Sequence, residues 1–311
     1  MKSHSESPSL ALLPYLALVG CNLLWAADYP LYHILLPTYL SPVLLLSAAL
    51  LATLLLAIFP AVRAGVGRVE RKDIPILIGA ALLLGVIHKG SLMMGLSRTS
   101  PVDGSIINTI GPLVVLILSV IVSQDRLSPT KIVGLLVGLS GAVMLILMGS
   151  DSAKAVSSIE GDLLVVTAVV ATALYTVFLK RLLAKYNVAT VLLWVYGISA
   201  LMVLPFGIRE ALHTNFGAWN HRAVVSFVII MCLLTYLPNF LYNYALRHIE
   251  PFRTSIFSYL QPVAAIALSV AMRLDTINLK TLLCALLVFV GIGIVLWAYR
   301  HRKQQPLPRK E

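Results

Sequence analysis

The sequence predicts an all-α integral membrane protein with ten transmembrane helices arranged as two inverted five-helix repeats. Three observations support this fold class. The chain is far more apolar than a soluble domain, its apolar residues form ten stretches of membrane-spanning length, and polar residues of its first half recur in its second half. The function must therefore be carried by helices inside a bilayer.

The composition excludes a soluble globular fold. Of the 311 residues, 59% are hydrophobic and 12% are charged, whereas soluble domains have about 45–50% apolar and about 25% charged residues. Apolar side chains can cover a membrane protein because they face lipid. The three cysteines lie far apart in apolar stretches, which predicts neither a disulfide framework nor a zinc site. We expect no metal and no cofactor.

Ten apolar stretches predict spans 1 to 10, and most approach the roughly 20 residues that cross the hydrocarbon core. In order, they cover residues 12–35, 43–59, 74–96, 104–122, 132–148, 163–183, 191–206, 224–246, 254–272 and 282–299. The connecting segments are too short to hold a soluble domain, so functional residues are expected within the spans.

Lysine and arginine residues are distributed unevenly between the two sides of these predicted spans. With the N-terminus in the cytoplasm, the cytoplasmic segments hold 17 of these residues and the outer segments hold 6; Lys89, inside span 3, completes the 24. The positive-inside rule predicts a multi-pass inner (plasma) membrane protein with both termini cytoplasmic. A basic rim facing anionic lipid explains the net charge of +11, so we expect the bilayer, and no nucleic acid, as a partner.

An internal repeat appears when the chain is aligned with itself at an offset of 150 residues. The matched polar, proline and glycine pairs, which need no gap, are Pro101/Pro251, Ser105/Ser255, Pro112/Pro262, Ser119/Ser269, Asp125/Asp275 and Gly141/Gly291. The repeat predicts one half at residues 1–149 and a second half, with a basic tail, at 150–311. Five spans per half is an odd number, so the halves enter the membrane from opposite sides, as in many secondary transporters.

Short motifs along nearly the whole chain resemble the EamA-like branch of the drug/metabolite transporter superfamily. They lie at residues 22–25 (Asn-Leu-Leu-Trp), 41–42 (Ser-Pro), 96–101 (Leu-Ser-Arg-Thr-Ser-Pro), 110–112 (Ile-Gly-Pro), 161–163 (Gly-Asp-Leu), 173–176 (Ala-Leu-Tyr-Thr) and 259–262 (Tyr-Leu-Gln-Pro). The run Asp28-Tyr29-Pro30 departs from the usual Ser-Asn-Phe-like pattern, and Ser47 stands where many relatives carry Arg.

This resemblance implies a secondary transporter that works by alternating access. It implies efflux of amino acids or similar small polar metabolites, with exchange for protons as one option. The alternative substrate class is anionic, a phosphorylated or carboxylated metabolite held by Lys89. We expect a monomer or weak homodimer with a small-molecule substrate.

Ionisable residues inside the spans are the first candidates for a substrate site, because such groups are costly in hydrocarbon and are usually functional. Asp28 lies in span 1, and His88 and Lys89 lie midway along span 3. Asp28 and Lys89 could hold the amino and carboxyl groups of a zwitterion, or pass a proton to water. The other interpretation is a fixed ion pair that only joins two helices.

Polar and aromatic residues extend this candidate site. Spans 4 and 9 carry matched polar stripes, so we expect the two stripes to face each other across a cavity. Lys89 matches Asn239 at the repeat offset, and Gln261 offers both a donor and an acceptor. Ordinary helix-to-helix hydrogen bonds are the alternative for these groups. The stripes are Ser105, Asn108 and Pro112 in span 4 and Ser255, Ser258 and Pro262 in span 9.

Aromatic residues within the spans complete the candidates. Trp25, Tyr175 and Tyr242 are predicted to line the pocket, although simple packing explains them equally well. Tyr29 is instead expected in the interfacial aromatic belt.

The remaining patterns favour a transporter over an enzyme or a channel. Gly134, Gly138 and Gly141 predict close helix packing by span 5. Residues 138–141 (Gly-Leu-Ser-Gly) have the form of an intramembrane serine protease motif, but every later histidine falls in a loop or tail. An enzyme using Asp28, His88 and Lys89 as acid–base groups is a less favoured alternative, and we predict no catalytic residue.

Overall fold

The computed structural model describes residues 8–65, 67–123, 129–148, 158–274 and 279–302, and every regular element in these ranges is helical. Eight helical segments are long and apolar enough to cross a membrane, and shorter apolar helices occur at Pro129–Gly141 and Leu282–Gly291. The all-α fold with ten transmembrane helices is thus confirmed. The basic tail from residue 303 and the Asp125/Asp275 match lie outside the described residues.

The ten spans are built from continuous and interrupted helices. The first half contains Pro8–Ala26 and Asp28–Leu35 (span 1), Pro42–Ala64 (span 2), Ile74–Ala80, Ala81–His88 and Lys89–Leu96 (span 3), Pro101–Asn108 and Gly111–Ser123 (span 4), and Pro129–Met148 (span 5). The second half contains Ile159–Lys185 (span 6), Val188–Leu212 (span 7), His221–Ile229, Ile230–Leu234 and Tyr236–His248 (span 8), Pro251–Ile256 and Leu260–Ala271 (span 9), and Leu279–Arg302 (span 10).

Several spans begin with a side-chain cap that the local sequence provides. The hydroxyl oxygens of Ser41, Ser100 and Ser158 accept hydrogen bonds from backbone N–H groups three residues later. Proline follows Ser41 and Ser100 at the first helical position, where its missing N–H costs nothing. These caps fix the start of spans 2, 4 and 6.

Spans 3 and 8 are interrupted at matching places in the two halves. Each contains a π-helical segment, Ala81–His88 in span 3 and Ile230–Leu234 in span 8. Lys89 follows the first segment, and its repeat partner Asn239 follows the second. Because π-helical turns widen the helix and often mark functional sites, the matched segments single out this depth of the bundle.

The extra width of the π segment in span 3 is accommodated by span 7. The Ser199 hydroxyl is shared between the Ala81 carbonyl oxygen at 3.0 Å, where the π segment begins, and the Val195 carbonyl oxygen of its own helix at 2.8 Å. Gly85 makes room for this contact, since a Cβ on Gly85 would lie 2.0 Å from the Ser199 Oγ. The two helices therefore meet through a small residue and a hydroxyl group, as is common inside membranes.

The helices form two groups around the centre and two outer pairs. Span 1 packs mainly against spans 8 and 9, and spans 3 and 4 pack against span 6, while spans 4 and 9 also pack directly against each other. We call spans 1, 8 and 9 the first body and spans 3, 4 and 6 the second body. The repeat relates span 1 to span 6, span 3 to span 8 and span 4 to span 9, so each body combines helices from both halves. Spans 2 and 7 form one outer pair, and spans 5 and 10 form the other.

Both outer pairs are held by small residues. Span 5 approaches span 10 so closely that a Cβ on Gly141 would lie 2.8 Å from the Cys284 carbonyl oxygen, and Gly291 is equally confined against Gly138. The predicted close packing of span 5 is confirmed. In the other pair, Ser47 lies against Gly207 and is buried, so the position where relatives carry Arg is here a helix contact.

Candidate functional site

A central cavity lies between the two bodies and contains the whole predicted site. Its atom-free volume is about 870 Å³, including the part that opens to solvent. All six spans of the two bodies contribute to its wall. The ten site residues predicted from the sequence all line it: Trp25, Asp28, His88, Lys89, Asn108, Tyr175, Asn239, Tyr242, Ser258 and Gln261.

Asp28 reaches the cavity because span 1 is broken beside it. The first helix of this span ends at Ala26, and the second begins at Asp28 with Pro30 in its first turn. Pro30 lacks the N–H that a continuous helix would need, which favours the break. The Asp28 side chain is buried, and the Tyr32 hydroxyl hydrogen-bonds to its carboxylate, but no described residue donates a hydrogen bond to its Oδ1.

Lys89 lies on the same cavity wall as Asp28. Its side chain is 4% exposed, and the ammonium group forms neither an ion pair nor a hydrogen bond with any described residue. The charges of Lys89 and Asp28 interact through space, but their charged atoms do not approach within the 4 Å of an ion pair. The structure therefore differs from the predicted alternative in which a fixed ion pair joins the two helices.

His88 in span 3 is held by a hydrogen bond to span 6, a helix of the same body. Its Nδ1 lies 2.9 Å from the carbonyl oxygen of Ala168 in span 6. Because a carbonyl oxygen only accepts, Nδ1 carries the hydrogen, and in a neutral ring the Nε2 is the acceptor. The ring thus fixes the distance between spans 3 and 6 beside Lys89.

Three amide side chains form a relay across the cavity wall. The Asn108 Nδ2 in span 4 donates to the Gln261 Oε1 in span 9 at 2.9 Å, and the Gln261 Nε2 donates to the Asn22 Oδ1 in span 1 at 2.6 Å. The Asn22 Nδ2 donates in turn to the Leu18 carbonyl oxygen at 2.7 Å. The relay links the second body to the first.

A second set of polar contacts joins span 6 to span 8. The Tyr175 hydroxyl donates to the Asn243 Oδ1 at 2.8 Å, and the Asn243 Nδ2 donates to the Asn239 carbonyl oxygen. At the neighbouring positions, the Thr176 and Tyr242 hydroxyl groups are 2.8 Å apart. Tyr242 also packs on the Trp25 ring, with centroids 5.2 Å apart, so the predicted aromatic residues form one part of the wall.

The predicted polar stripes are only partly correct. Asn108 and Pro112 of span 4 and Ser255 and Ser258 of span 9 line the cavity. Ser105 does not, because it is fully buried and its hydroxyl donates to the Val102 carbonyl oxygen of its own helix. Pro262 is also buried away from the wall, since the 3₁₀ turn at Phe257–Tyr259 changes the helical register within the stripe.

Tyr29 was wrongly predicted, and several wall residues were missed. Tyr29 is 3% exposed and lines the cavity, so it is not interfacial; the break at Ala27 turns it inward. Asn243 could have been found from its four-residue spacing to Asn239. The same three- or four-residue spacing to a predicted residue marks Asn22, Thr172 and Thr254, and Thr176 directly follows Tyr175. The missed polar residues are Asn22, Thr172, Thr176, Asn243 and Thr254.

Two polar clusters lie at the ends of the bundle. At the end predicted as cytoplasmic, the Lys185 Nζ lies 2.6 Å from both Glu70 and Asp73, and the Tyr186 hydroxyl donates to Asp73. Hydrogen bonds from Lys185 and Lys72 hold the pKa of Glu70 below its ordinary value. At the other end, the Thr99 hydroxyl donates to the buried Asp162 carboxylate.

The fold and the central cavity, with polar side chains in its wall, define a polytopic membrane transporter, and comparisons with known proteins agree. The model of the EamA-like transporter family matches residues 12–147 and 159–297. The chain belongs to this family.

Relatives and a solved structure extend this result. The chain is 27% identical to an uncharacterized transporter of Archaeoglobus fulgidus over 228 residues, 73% of this chain and 79% of that protein. It is 28% identical to the uncharacterized transporter YyaM of Bacillus subtilis, covering 68% of this chain and 70% of YyaM. The uncharacterized inner membrane transporter YicL of Salmonella typhimurium is 21% identical, covering 75% and 76%. A crystal structure with 16% identity covers 92% of this chain and 98% of its own, with a TM-score of 0.65, which supports the fold alone.

Proposed function

We propose that this transporter exports small zwitterionic, amino-acid-like metabolites by alternating access. One observation carries the proposal: Asp28 and Lys89 lie on the wall of one cavity, both buried and without an ion pair to each other. An unpaired buried charge is costly, and a bound zwitterion would give each group its partner. The substrate ammonium would face Asp28, and its carboxylate would face Lys89.

The two bodies support the alternating-access part of the proposal. They are related by the inverted repeat, with the boundary proposed at residues 149 and 150, and the cavity lies between them. Lys180 of the second body donates to the Leu246 and Ile249 carbonyl oxygens of the first body. These hydrogen bonds join the two bodies at one end of the bundle, and we propose that they break when the cavity opens to that side.

The orientation, location and coupling follow from the charge pattern and the family. Both termini are proposed to be cytoplasmic because basic residues are concentrated on that side, and YicL is itself described as an inner membrane transporter. Exchange for protons is proposed with Asp28 as the carrier group, since its Oδ1 is unpaired and faces the cavity. The substrate is moved without chemical change, so no enzymatic activity is proposed. The anionic alternative rests on Lys89 alone and leaves Asp28 without a partner.

Reconstituted protein in liposomes can test this proposal with radiolabelled amino acids, sugar phosphates and carboxylates. We expect amino acid transport in the wild type and its loss in Asp28→Asn, Lys89→Met and the double variant, with all of them folded. Asp162→Asn is the control for Asp28, because Asp162 is a buried carboxylate that does not line the cavity; Lys72→Met is the exposed-lysine control. Full transport by the folded double variant would overturn the binding role, and transport of anions alone would support the alternative.

A further inference from the structure

The amide relay has a fixed direction, which decides what it offers to a substrate. Amide nitrogen and oxygen atoms are usually assigned from the hydrogen-bond network, and here the network ends on a backbone carbonyl. Leu18 can only accept, so Asn22 must direct its Nδ2 to Leu18 and its Oδ1 to Gln261. Gln261 must then direct its Oε1 to Asn108.

The consequence appears at the other end of the relay. Asn108 donates to Gln261 through its Nδ2, so its Oδ1 takes no part in the relay and can accept another hydrogen bond. Asn108 is half-buried and lines the cavity, and no described residue donates to this oxygen. The relay therefore presents a hydrogen-bond acceptor at the cavity wall.

A second polar group without a partner lines the same cavity. Ser258 precedes Gln261 by three residues, which places both side chains on the same face of span 9. The Ser258 Oγ is buried and has no hydrogen-bond partner among the described residues, and Ser258 lines the cavity. A buried polar atom without a partner is costly, and a ligand group that reaches it removes that cost.

We propose that Asn108 and Ser258 form a side-chain subsite that selects substrates carrying a hydroxyl or amino donor on the side chain. Resting on the proposed function, this inference narrows the substrate class to zwitterions with a polar, donor-bearing side chain. Asn22 is the positioning residue of the subsite, because its bond to Leu18 fixes the direction of the relay.

Competition among near-isosteric amino acids tests the subsite in the same proteoliposomes. The probes are serine, 2-aminobutyrate, which replaces the hydroxyl by a methyl group, and O-methylserine, which can only accept. One net hydrogen bond corresponds to a factor of about 2 to 10 in affinity, so we expect the wild type to prefer serine over each by that factor. Asn108→Leu and Ser258→Ala should each remove most of the preference.

The variant Asn22→Leu shows whether Asn22 orients the relay or only stabilises the fold. Without Asn22, the Gln261 and Asn108 amides can turn, so binding of O-methylserine should rise relative to serine, while a purely structural loss would weaken both equally. Ser140→Ala is the matched control for Ser258→Ala, since the Ser140 side chain is exposed and its hydroxyl donates to the Val137 carbonyl oxygen of its own helix. If Asn108→Leu does not fold, Asn108→Asp replaces it and should increase the preference for 2,3-diaminopropionate.

The outcomes distinguish this inference from the proposed function. A wild type that transports no amino acid overturns the proposed function. A wild type that transports amino acids but binds serine and 2-aminobutyrate equally, or folded variants that keep the wild-type preference, overturns the subsite alone.

Discussion

The contact between spans 5 and 10 leaves no room for a single methyl group, which makes Gly291→Ala a sharp test of the packing. A Cβ on Gly291 would lie 2.2 Å from the Gly138 nitrogen and 2.5 Å from the Gly134 carbonyl oxygen. Both atoms belong to the backbone, so no side-chain rotation can relieve the clash. An ordinary contact of at least 3.4 Å requires the helices to separate by about 1.2 Å.

The same helix provides a matched control for this substitution. At Gly293 a Cβ would meet no atom within 4 Å, so Gly293→Ala changes the helix propensity without a clash. Alanine favours a helix over glycine by about 1 kcal/mol at both positions. The difference between the two variants therefore isolates the clash, which we expect to cost about 1–3 kcal/mol, the usual range for overpacking.

Thermal unfolding of the purified protein in detergent, followed by size-exclusion chromatography, measures this difference. A chain of this size is expected to shift by about 2–4 °C for each kcal/mol, so Gly291→Ala should unfold several degrees below Gly293→Ala. Equal unfolding temperatures would show that spans 5 and 10 do not pack through these glycines.

Three further predictions concern the topology, a loop contact and the π segment. Reporter fusions at Asn215 and at the C-terminus should lie on opposite sides of the membrane; finding both on one side would contradict the ten-span topology. Lys185→Met should expose the loop around Glu70 to trypsin, and the wild-type contact should weaken as the pH falls below the ordinary Glu pKa of 4.5, because a lowered pKa stabilises the fold only above that value. Ser199→Ala should cost about 0.5–1 kcal/mol by removing the hydroxyl shared between the Ala81 and Val195 carbonyl oxygens; an unchanged unfolding temperature would show that these carbonyl groups need no such donor.

The helices and the composition of the cavity wall could be predicted from the sequence for a physical reason. Hydrocarbon penalises charged and polar groups strongly, so residues such as Asp28, Lys89 and Asn239 stand out within apolar runs. Serine followed by proline marks the starts of spans 2 and 4, at Pro42 and Pro101, although the predicted spans began at residues 43 and 104. These signals are local in sequence, which is why they survive without knowledge of the tertiary structure.

The details that decide hydrogen bonding could not be predicted in this way. The direction of the relay depends on the backbone carbonyl of Leu18. Every residue has such a carbonyl, so the sequence does not show which one Asn22 uses. The inward position of Tyr29 depends on the break at Ala27, and Ser105 turns to its own backbone although it has the same spacing as Asn108. Each outcome is set by the backbone and side-chain geometry within one span, as for Asn22 with Leu18 and Ser105 with Val102, which residue types alone do not specify.

The break at Ala27 also makes the two halves unequal. In an ideal inverted repeat, the inward-facing and outward-facing conformations would be images of each other with the same free energy. Span 1 is divided beside Asp28, whereas its partner, span 6, is one uninterrupted helix from Ile159 to Lys185. We therefore expect the two conformations of the proposed cycle to differ in free energy, so that the cavity of the unloaded protein faces one side of the membrane more often than the other.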